Sequence, residues 1–433
     1  MRIVQITPGS GGSFYCENCL RDSVLVRQIL KLGHDVVMVP MYLPLGIDRD
    51  QRVQDTPIFF GGINVYLQQK LGLFRRTPRW LDRLFDSEKL LEWASRRIGM
   101  TSARQLGQTT VSMLRGEQGR QKKELHRLLQ WLSEQSPKPN VVCLSNILLA
   151  GLVRPLKAEL GVAVVSLLQD EDGFLDGLAA PYSQQAWELV GECCGDVDGF
   201  IAVSRYYAEV MQQRLGIGED RMHVVPAGVW PDRYEPAGTA PAVPTVGYLS
   251  RMCPDRGLDT LVEAFTILKA KDGLKDVRLR IAGGATVSDR AFVNQIRKNL
   301  HRQGLLEYVE FLTDFDWPDR ANFLNSLSVL CVPEKHPVAG GVYVLEAWAT
   351  GVPVVEPDMG AFHELVGETG GGLLYEPGNA QALADSLGAL LSDPQRSVKI
   401  GQRGRDAVCK QYNIEHTAER MVQVFDNVAS RYR

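Results

Sequence analysis

The sequence predicts an α/β protein built as two doubly wound parallel sheets, one in each half of the chain. Three observations carry that expectation. Short apolar β-like runs alternate with helix-length amphipathic stretches from the first residues onward. The alternation breaks once, at Pro236-Ala237-Gly238-Thr239-Ala240-Pro241-Ala242-Val243-Pro244, and then restarts. At 433 residues the chain exceeds what one hydrophobic core organises, so two domains of roughly 200 residues each are the default.

Val4 to Ile6, the loop Gly9-Ser10-Gly11-Gly12, a helix from about Leu20 to Leu32, the stop Gly33-His34 and the run Val36 to Val39 form a strand, loop, helix and strand unit. Such a unit closes with a right-handed crossover. Val141 to Leu144, Val162 to Leu168, Gly199 to Val203 and Met222 to Val225 supply further strands of that sheet. After the break the pattern returns as Thr245 to Leu249, a helix over Leu258 to Lys271, Val277 to Ala282, a helix over Arg290 to Gln303, Val309 to Leu312 and Val329 to Pro333. A helix opening at Val342 and stopped by Gly351 leads into the buried run Val352-Pro353-Val354-Val355. The stretch Ile414 to Tyr432 reads as an amphipathic helix. The expected boundaries are an N-terminal domain over 1–236, a C-terminal domain over 237–412 and a helix over 413–433 packing back toward the first domain. Ligands of open α/β sheets bind outside the carboxyl ends of the strands, so two such domains create a central cleft.

Composition excludes several classes. A hydrophobic content of 45% with 23% charged residues is that of an ordinary soluble protein. The formal net charge of −3 argues against nucleic acid as a partner. No apolar run approaches the ~18 residues of a membrane span, and Met1 to Ile6 lacks the apolar core of a secretory signal. A cytoplasmic location is expected. Eight cysteines are scattered over positions 16, 19, 143, 193, 194, 253, 331 and 409, which is no disulfide framework. Cys16 and Cys19 have the spacing of half a zinc site, but the adjacent pair Cys193-Cys194 cannot form the second half, and no metal is expected. The helical insert at about 70–130 is basic: between Phe74 and Arg127, thirteen Lys or Arg stand against six acids, with Trp80 and Trp93 interleaved. It reads as a solvated helical cap, with peripheral contact to an anionic membrane or to an anionic acceptor as the functional alternative.

Chemistry concentrates where strands end. Gly340-Gly341 followed by a helix at Val342 is an anion site in outline, because the first N–H groups of a helix have no internal partner and the dipole adds positive charge. Glu346 lies one turn further on, where a carboxylate can accept from two vicinal hydroxyls; a plain crossover helix is the bland alternative. Arg251 and Arg256, on the loop after Thr245 to Leu249, can converge on one diphosphate. Gly283-Gly284 ends the next strand and permits close backbone approach. Gly11-Gly12 ends the first strand. Gln169-Asp170-Glu171-Asp172 follows Val162 to Leu168 and offers an amide and carboxylates to hydroxyls or an attacking nucleophile; an acidic helix N-cap explains part of that set.

In order and spacing these pieces resemble glycosyltransferase family 4, the retaining GT-B enzymes of the glycosyl transferases group 1, over nearly the whole chain. The matching residues are Gly11-Gly12 with Leu32-Gly33-His34-Asp35-Val36; Ile201-Ala202-Val203-Ser204; Val225-Pro226-Ala227-Gly228-Val229; Gly247 through Gly257; Ile281-Ala282-Gly283-Gly284; Leu345-Glu346-Ala347 through Pro353-Val354-Val355; Glu364-Leu365-Val366; and Gly371-Gly372-Leu373. The resemblance implies two Rossmann-like domains facing a central cleft, acceptor on the N-terminal side and nucleotide-diphosphate sugar on the C-terminal side. It implies a metal-independent hexosyltransferase without a cofactor, acting on a glycan, lipid-linked or small-molecule acceptor with retention of configuration. Arg251, Arg256, Gln169 and Asp170 are then the expected catalytic set. Gly11, Gly12, Gly283, Leu312, Gly341, Val342, Glu346 and Glu364 are the expected donor-binding set, with the base near Phe311, Leu312 and Thr313 and the ribose on Glu346. Three positions depart from the family. Val338 stands where a first donor-site glutamate is usual, Arg256 replaces a lysine, and Gln169 replaces a histidine. A non-catalytic sugar-nucleotide or glycan-binding protein is the rival reading; a GT-B epimerase or phosphorylase is a third.

Overall fold

All the strands described run parallel to their neighbours, in two six-stranded sheets. The computed structural model describes residues 1–8, 17–41, 59, 103–236, 241–312 and 319–432. Gly11, Gly12, Cys16, Thr313 and residues 74–102 of the basic insert lie outside them. The chain forms two compact units, Met1–Pro226 with Ala418–Arg433, and Ala227–Thr417.

The first unit runs β1 (Arg2–Thr7), α1 (Glu17–Lys31), β2 (Asp35–Pro40), α2 (Ala103–Leu114), α3 (Lys122–Ser133), β3 (Val141–Leu144), α4 (Val153–Leu160), β4 (Ala163–Leu168), α5 (Glu171–Asp176), α6 (Tyr182–Cys194), β5 (Gly199–Ala202), α7 (Arg205–Leu215) and β6 (Met222–Val224). Its strand order is β2-β1-β3-β4-β5-β6. Every residue of β3, β4 and β5 is buried, as a parallel strand covered by helices on both faces requires. The order reverses between β1 and β3, so the crevice of this sheet opens where those two strands end.

The second unit runs β7 (Thr245–Leu249), α8 (Leu258–Lys269), β8 (Arg278–Ala282), α9 (Arg290–Arg302), β9 (Val309–Leu312), α10 (Asp319–Asn325), β10 (Val329–Leu330), α11 (Val342–Ala349), β11 (Val354–Pro357), α12 (Phe362–Thr369), β12 (Gly372–Tyr375), α13 (Ala380–Leu391), α14 (Pro394–Lys410) and the start of α15 (Ile414–Ser430). The order β12-β11-β10-β7-β8-β9 reverses between β7 and β10. Helix α11 is the centre of this core, buried from Tyr343 through Ala349. Trp348 Nε1 donates to the Gly371 carbonyl at 2.7 Å, and a Cβ on Gly404 would sit 2.3 Å from the indole.

The division between units falls before the proline-rich stretch that the sequence points to. Val229 N donates to Tyr412 O and Ile414 N to Val229 O, both at 3.0 Å, and Tyr234 reaches Glu346 at 2.7 Å. Residues 227–236 are therefore tied into the second unit by pairings far apart in sequence, which composition does not reveal. Beyond Ala418, α15 belongs to the first unit, where the Tyr432 hydroxyl donates to Asp198 at 2.8 Å. Among the described residues, no helix is long and apolar enough to cross a membrane.

Candidate functional site

The crevice of the second sheet is lined by the segments that follow β7 and β10, and these two segments are zipped together. Gly257 has φ +63°, and a Cβ there would lie 1.7 Å from the Pro333 carbonyl oxygen, so only glycine lets the loops approach. Lys335 N donates to Asp255 O at 3.0 Å, and Lys335 Nζ to Asp259 at 2.6 Å. Arg251 lies across the loop after β8, its guanidinium forked onto Asp289 through Nε (2.8 Å) and Nη2 (3.0 Å). Burial alone would raise the Asp289 pKa, but hydrogen bonds from Arg251 and Thr286 outweigh it and hold the carboxyl below its ordinary value. Arg256 donates to Glu334 at 2.5 Å. Gly283 N bonds the Leu312 carbonyl at 3.2 Å, and Gly284 O accepts from Met252 N at 2.8 Å, which sets the ends of β8 and β9 beside the arginine loop.

Helix α11 opens on the same rim. Gly341 is its N-cap with no side-chain cap bond, so the first-turn N–H groups from Val342 onward keep their positive end. A Cβ on Gly341 would meet Phe362 and Val344 at 3.1 Å. Glu346 departs from the expected geometry. It is fully buried, its Oε1 accepting from the Tyr234 hydroxyl at 2.7 Å and its Oε2 bonded to the buried Arg320. Instead of facing the loop before α11, this carboxylate links α11 to α10 and to residues just before β7. Val338 is buried, its carbonyl accepting from Ala361 N at 3.0 Å, with Gly360 so close that a Cβ would come within 2.7 Å of Val338 N. Glu364 is half-buried in the first turn of α12.

Behind this rim lies an acidic layer. Glu356 is fully buried and accepts from Val332 N at 3.4 Å and the Tyr343 hydroxyl at 3.3 Å. Burial first, and the charge of Glu334 second, push its pKa well above the usual carboxylate range.

In the first unit, Gln169 follows β4 and is buried; its side-chain amide donates to the Ser145 carbonyl at the end of β3, while Oε1 has no partner. Asp170 has φ 61°, a left-handed conformation unusual for a residue other than glycine, and stands at the N-cap of α5 without a side-chain cap bond. The bend is held by Glu171, which accepts from Gln169 N (2.5 Å), Ile147 N (3.3 Å) and the Tyr207 hydroxyl (3.0 Å). Glu171 thus ties the ends of β3, β4 and the first turn of α7 together, and burial pushes its pKa up to about 7. Tyr207 is shared with Asp172, 3.0 Å from its hydroxyl.

The structure brings Arg251, Arg256, Gly283, Leu312, Gly341 and Val342 to one end of the second sheet, and Gln169 and Asp170 to the corresponding end of the first. Sequence reasoning did not single out Glu171, Tyr207, Arg320, Tyr234, Glu356 or Asp289. Only Asp289 carried a local signal, since Thr286 and Asp289 have capping-box spacing and form that box here.

Two family models match the chain: Glycosyltransferase Family 4 over residues 103–233 and Glycosyl transferases group 1 over residues 243–393. Among curated proteins, a D-inositol 3-phosphate glycosyltransferase of Nocardia farcinica is 28% identical over 254 residues, 57% of this chain and 55% of that protein. A phosphatidyl-myo-inositol mannosyltransferase of Mycobacterium leprae is 30% identical over 224 residues, 50% of this chain and 56% of that protein. The chain spans about half the length of the curated relatives it matches. Among solved structures, sucrose-phosphate synthase from Thermosynechococcus elongatus superposes with a TM-score of 0.73 at 17% identity, covering 100% of both chains. Anabaena HepE in complex with UDP gives 0.68 at 15% identity, over 99% of this chain and 100% of that one. The fold shared with these structures is GT-B.

Proposed function

Because this chain belongs to glycosyltransferase family 4 of the glycosyl transferases group 1, we propose that it moves a sugar from a nucleotide-diphosphate donor to an acceptor hydroxyl with retention of configuration. One observation carries the reading: Arg251, Arg256 and the uncapped start of α11 meet at the switch point of a single sheet. That is where an anionic ligand of an open α/β sheet is held. The two guanidinium groups and the helix start stabilise the negative charge that grows on the departing diphosphate, so these residues supply the electrostatics without a bound metal. Gly283 and Leu312 border the donor from β8 and β9, and Glu364 from α12. In the first unit, Gln169 and Asp170 serve the acceptor side. The relatives' names combine sugar transfer with inositol phosphate or phosphatidylinositol acceptors, and we infer a polyol acceptor of that kind.

Arg251 and Arg256 already hold carboxylates, so a bound donor shares their guanidinium groups with Asp289 and Glu334. Glu346 contacts a ribose only where Tyr234 or Arg320 yields one oxygen.

The test is a thermal-shift screen against UDP, GDP, ADP and their sugar conjugates, followed by release of nucleotide from the conjugate that binds, since a ligand specific for the folded state raises the melting temperature. A shift with one nucleotide family and turnover with an acceptor support the reading. Val338 favours one rival, a sugar-nucleotide-binding protein without turnover, because it is apolar and walled in where the family carries a carboxylate. A shift without any nucleotide release supports that rival, and no shift with any nucleotide overturns both.

A further inference from the structure

The described part of the basic segment, 103–127, belongs to the first unit and holds a cluster of cations that the proposed function does not use. An open cavity of about 260 Å³ lies between α2, the loop 115–121 and the first turn of α6, with Arg115, Arg120, Gln118, Tyr182 and Gln185 among its walls. Among the described residues, no acidic side chain lines it. Glu117, the acid of that loop, is directed at His126 instead, at 4.0 Å.

Three glycines fix its shape. A Cβ on Gly119 would fall 2.0 Å from the Ser112 carbonyl oxygen, one on Gly116 (φ +53°) 2.2 Å from that of Gly151, and one on Gly107 2.6 Å from Tyr182 Cβ. Ser112 Oγ accepts from Arg120 N (2.8 Å) and donates to Gln121 (2.6 Å), while Gln108 donates to the Tyr182 hydroxyl (3.0 Å). The backbone that carries the two arginines is therefore held at fixed distance from the start of α6. That helix is 13 residues long and has no side-chain N-cap bond, so its first turn adds positive potential to the same cavity. Two guanidinium forks with a helix N-terminus match a phosphate dianion better than a single carboxylate. The amides of Gln118 and Gln185 and the Tyr182 phenol are groups suited to hydroxyls.

We propose that this cavity binds the phosphate ester of an acceptor polyol, with Arg115 and Arg120 on the phosphate and Gln118, Tyr182 and Gln185 on neighbouring hydroxyls. The assignment to an acceptor rests on the transferase reading above; the phosphate site itself does not. Two sources share this chemistry, a soluble phosphorylated polyol and a phospholipid headgroup.

Calorimetric titration of the full chain with glycerol 3-phosphate and with glycerol, in the absence of nucleotide, tests it. Co-sedimentation with phosphatidylcholine vesicles, with and without phosphatidylinositol, forms a second arm. The expected result is binding of the ester and not of glycerol, weakened about tenfold or more in Arg115→Gln, as loss of one charge-assisted contact implies, and weakened less in Arg115→Lys. Arg115 is exposed, so both variants keep the wild-type melting temperature. Vesicle binding that requires phosphatidylinositol and is lost in Arg115→Gln supports the same site with a lipid source. Binding by neither probe, or equal binding by wild type and Arg115→Gln, overturns the proposal. A chain that binds the ester but shifts with no nucleotide keeps this site and loses the transferase reading.

Discussion

Glu171→Gln separates a carboxyl that is merely buried from one that pins the bend at Asp170. Glu171 is fully buried and its pKa rises from 4.5 to about 7. In that window the folded chain holds a proton that the unfolded chain has released, so stability falls as pH rises from 4.5 toward 7. At about 1.4 kcal/mol per unit, the loss is nil below pH 4.5, about 1.4 kcal/mol by about pH 5.5 and about 3.3 kcal/mol by about pH 8. The amide cannot titrate. It accepts toward only one flank, Ile147 N or Gln169 N, so the variant begins with an offset of about 1–3 kcal/mol for the stranded donor. The readout is the change of the difference with pH: the variant should gain about 2 kcal/mol on wild type between about pH 5.5 and about pH 8. Native-state hydrogen exchange of the β3 and β4 amides, corrected for the intrinsic pH dependence of exchange, reports the opening free energy of this unit. A difference that stays constant over that range refutes the buried carboxyl with a raised pKa.

Arg256→Ala is expected to lower turnover about a hundredfold or more, as loss of one donor to developing charge does in other enzymes; combining it with Glu334→Gln avoids stranding a buried carboxylate, and Arg256→Lys, with one ammonium to divide between Glu334 and a phosphate, recovers only part of the rate. Steady-state nucleotide release checks all three. Arg320→Met leaves the Glu346 charge buried without its guanidinium and should destabilise the second unit by about 3–5 kcal/mol, with partial recovery when Glu346→Gln is added; thermal unfolding measures both. Gly257→Ala should cost far more than Gly273→Ala, although both glycines have positive φ, because a Cβ at Gly257 lands 1.7 Å from a carbonyl oxygen while nothing lies within 4 Å at Gly273. The open site should lose only the backbone term of about 1–2 kcal/mol, and comparable melting temperatures for the two variants would contradict the zipped loops.

Local pattern made much of this architecture legible. Val141 to Leu144 reads as a buried strand because nothing polar interrupts it, and Gly257 with Gly341 reads as loop geometry because helices follow both. Arg251 and Arg256 stood out from their place after a strand. Glu346 shows where such reading stops. Its spacing from Val342 is a local fact, but its orientation is set by Tyr234 and Arg320, 112 and 26 residues away. Glu171 lies in a run of acids whose members look alike in sequence, and only its burial and its bonds from Ile147 N and Gln169 N distinguish it from its neighbours Asp170 and Asp172. The division between units depends on distant pairings as well: proline content marks a break in the pattern, whereas the pairing of Val229 with Tyr412 ties residues 227–236 into the second unit.

The departure at Val338 and the replacement of lysine by Arg256 are best understood together. The loop after β10 is fixed at Gly257 on one side and at Gly360 on the other, and the carboxylates of this region, Glu334 and Glu356, are both buried. A cation serving such a site must satisfy Glu334 and still meet a phosphate. Lysine offers one ammonium whose donors share a single centre. A guanidinium has five N–H groups along its edges and can keep one edge on the carboxylate while another faces a ligand oxygen. In Arg256, Nη1 donates to Glu334. Arginine at 256 therefore suits a site in which a buried Glu334 must be held: its guanidinium can bridge that carboxylate to a phosphate.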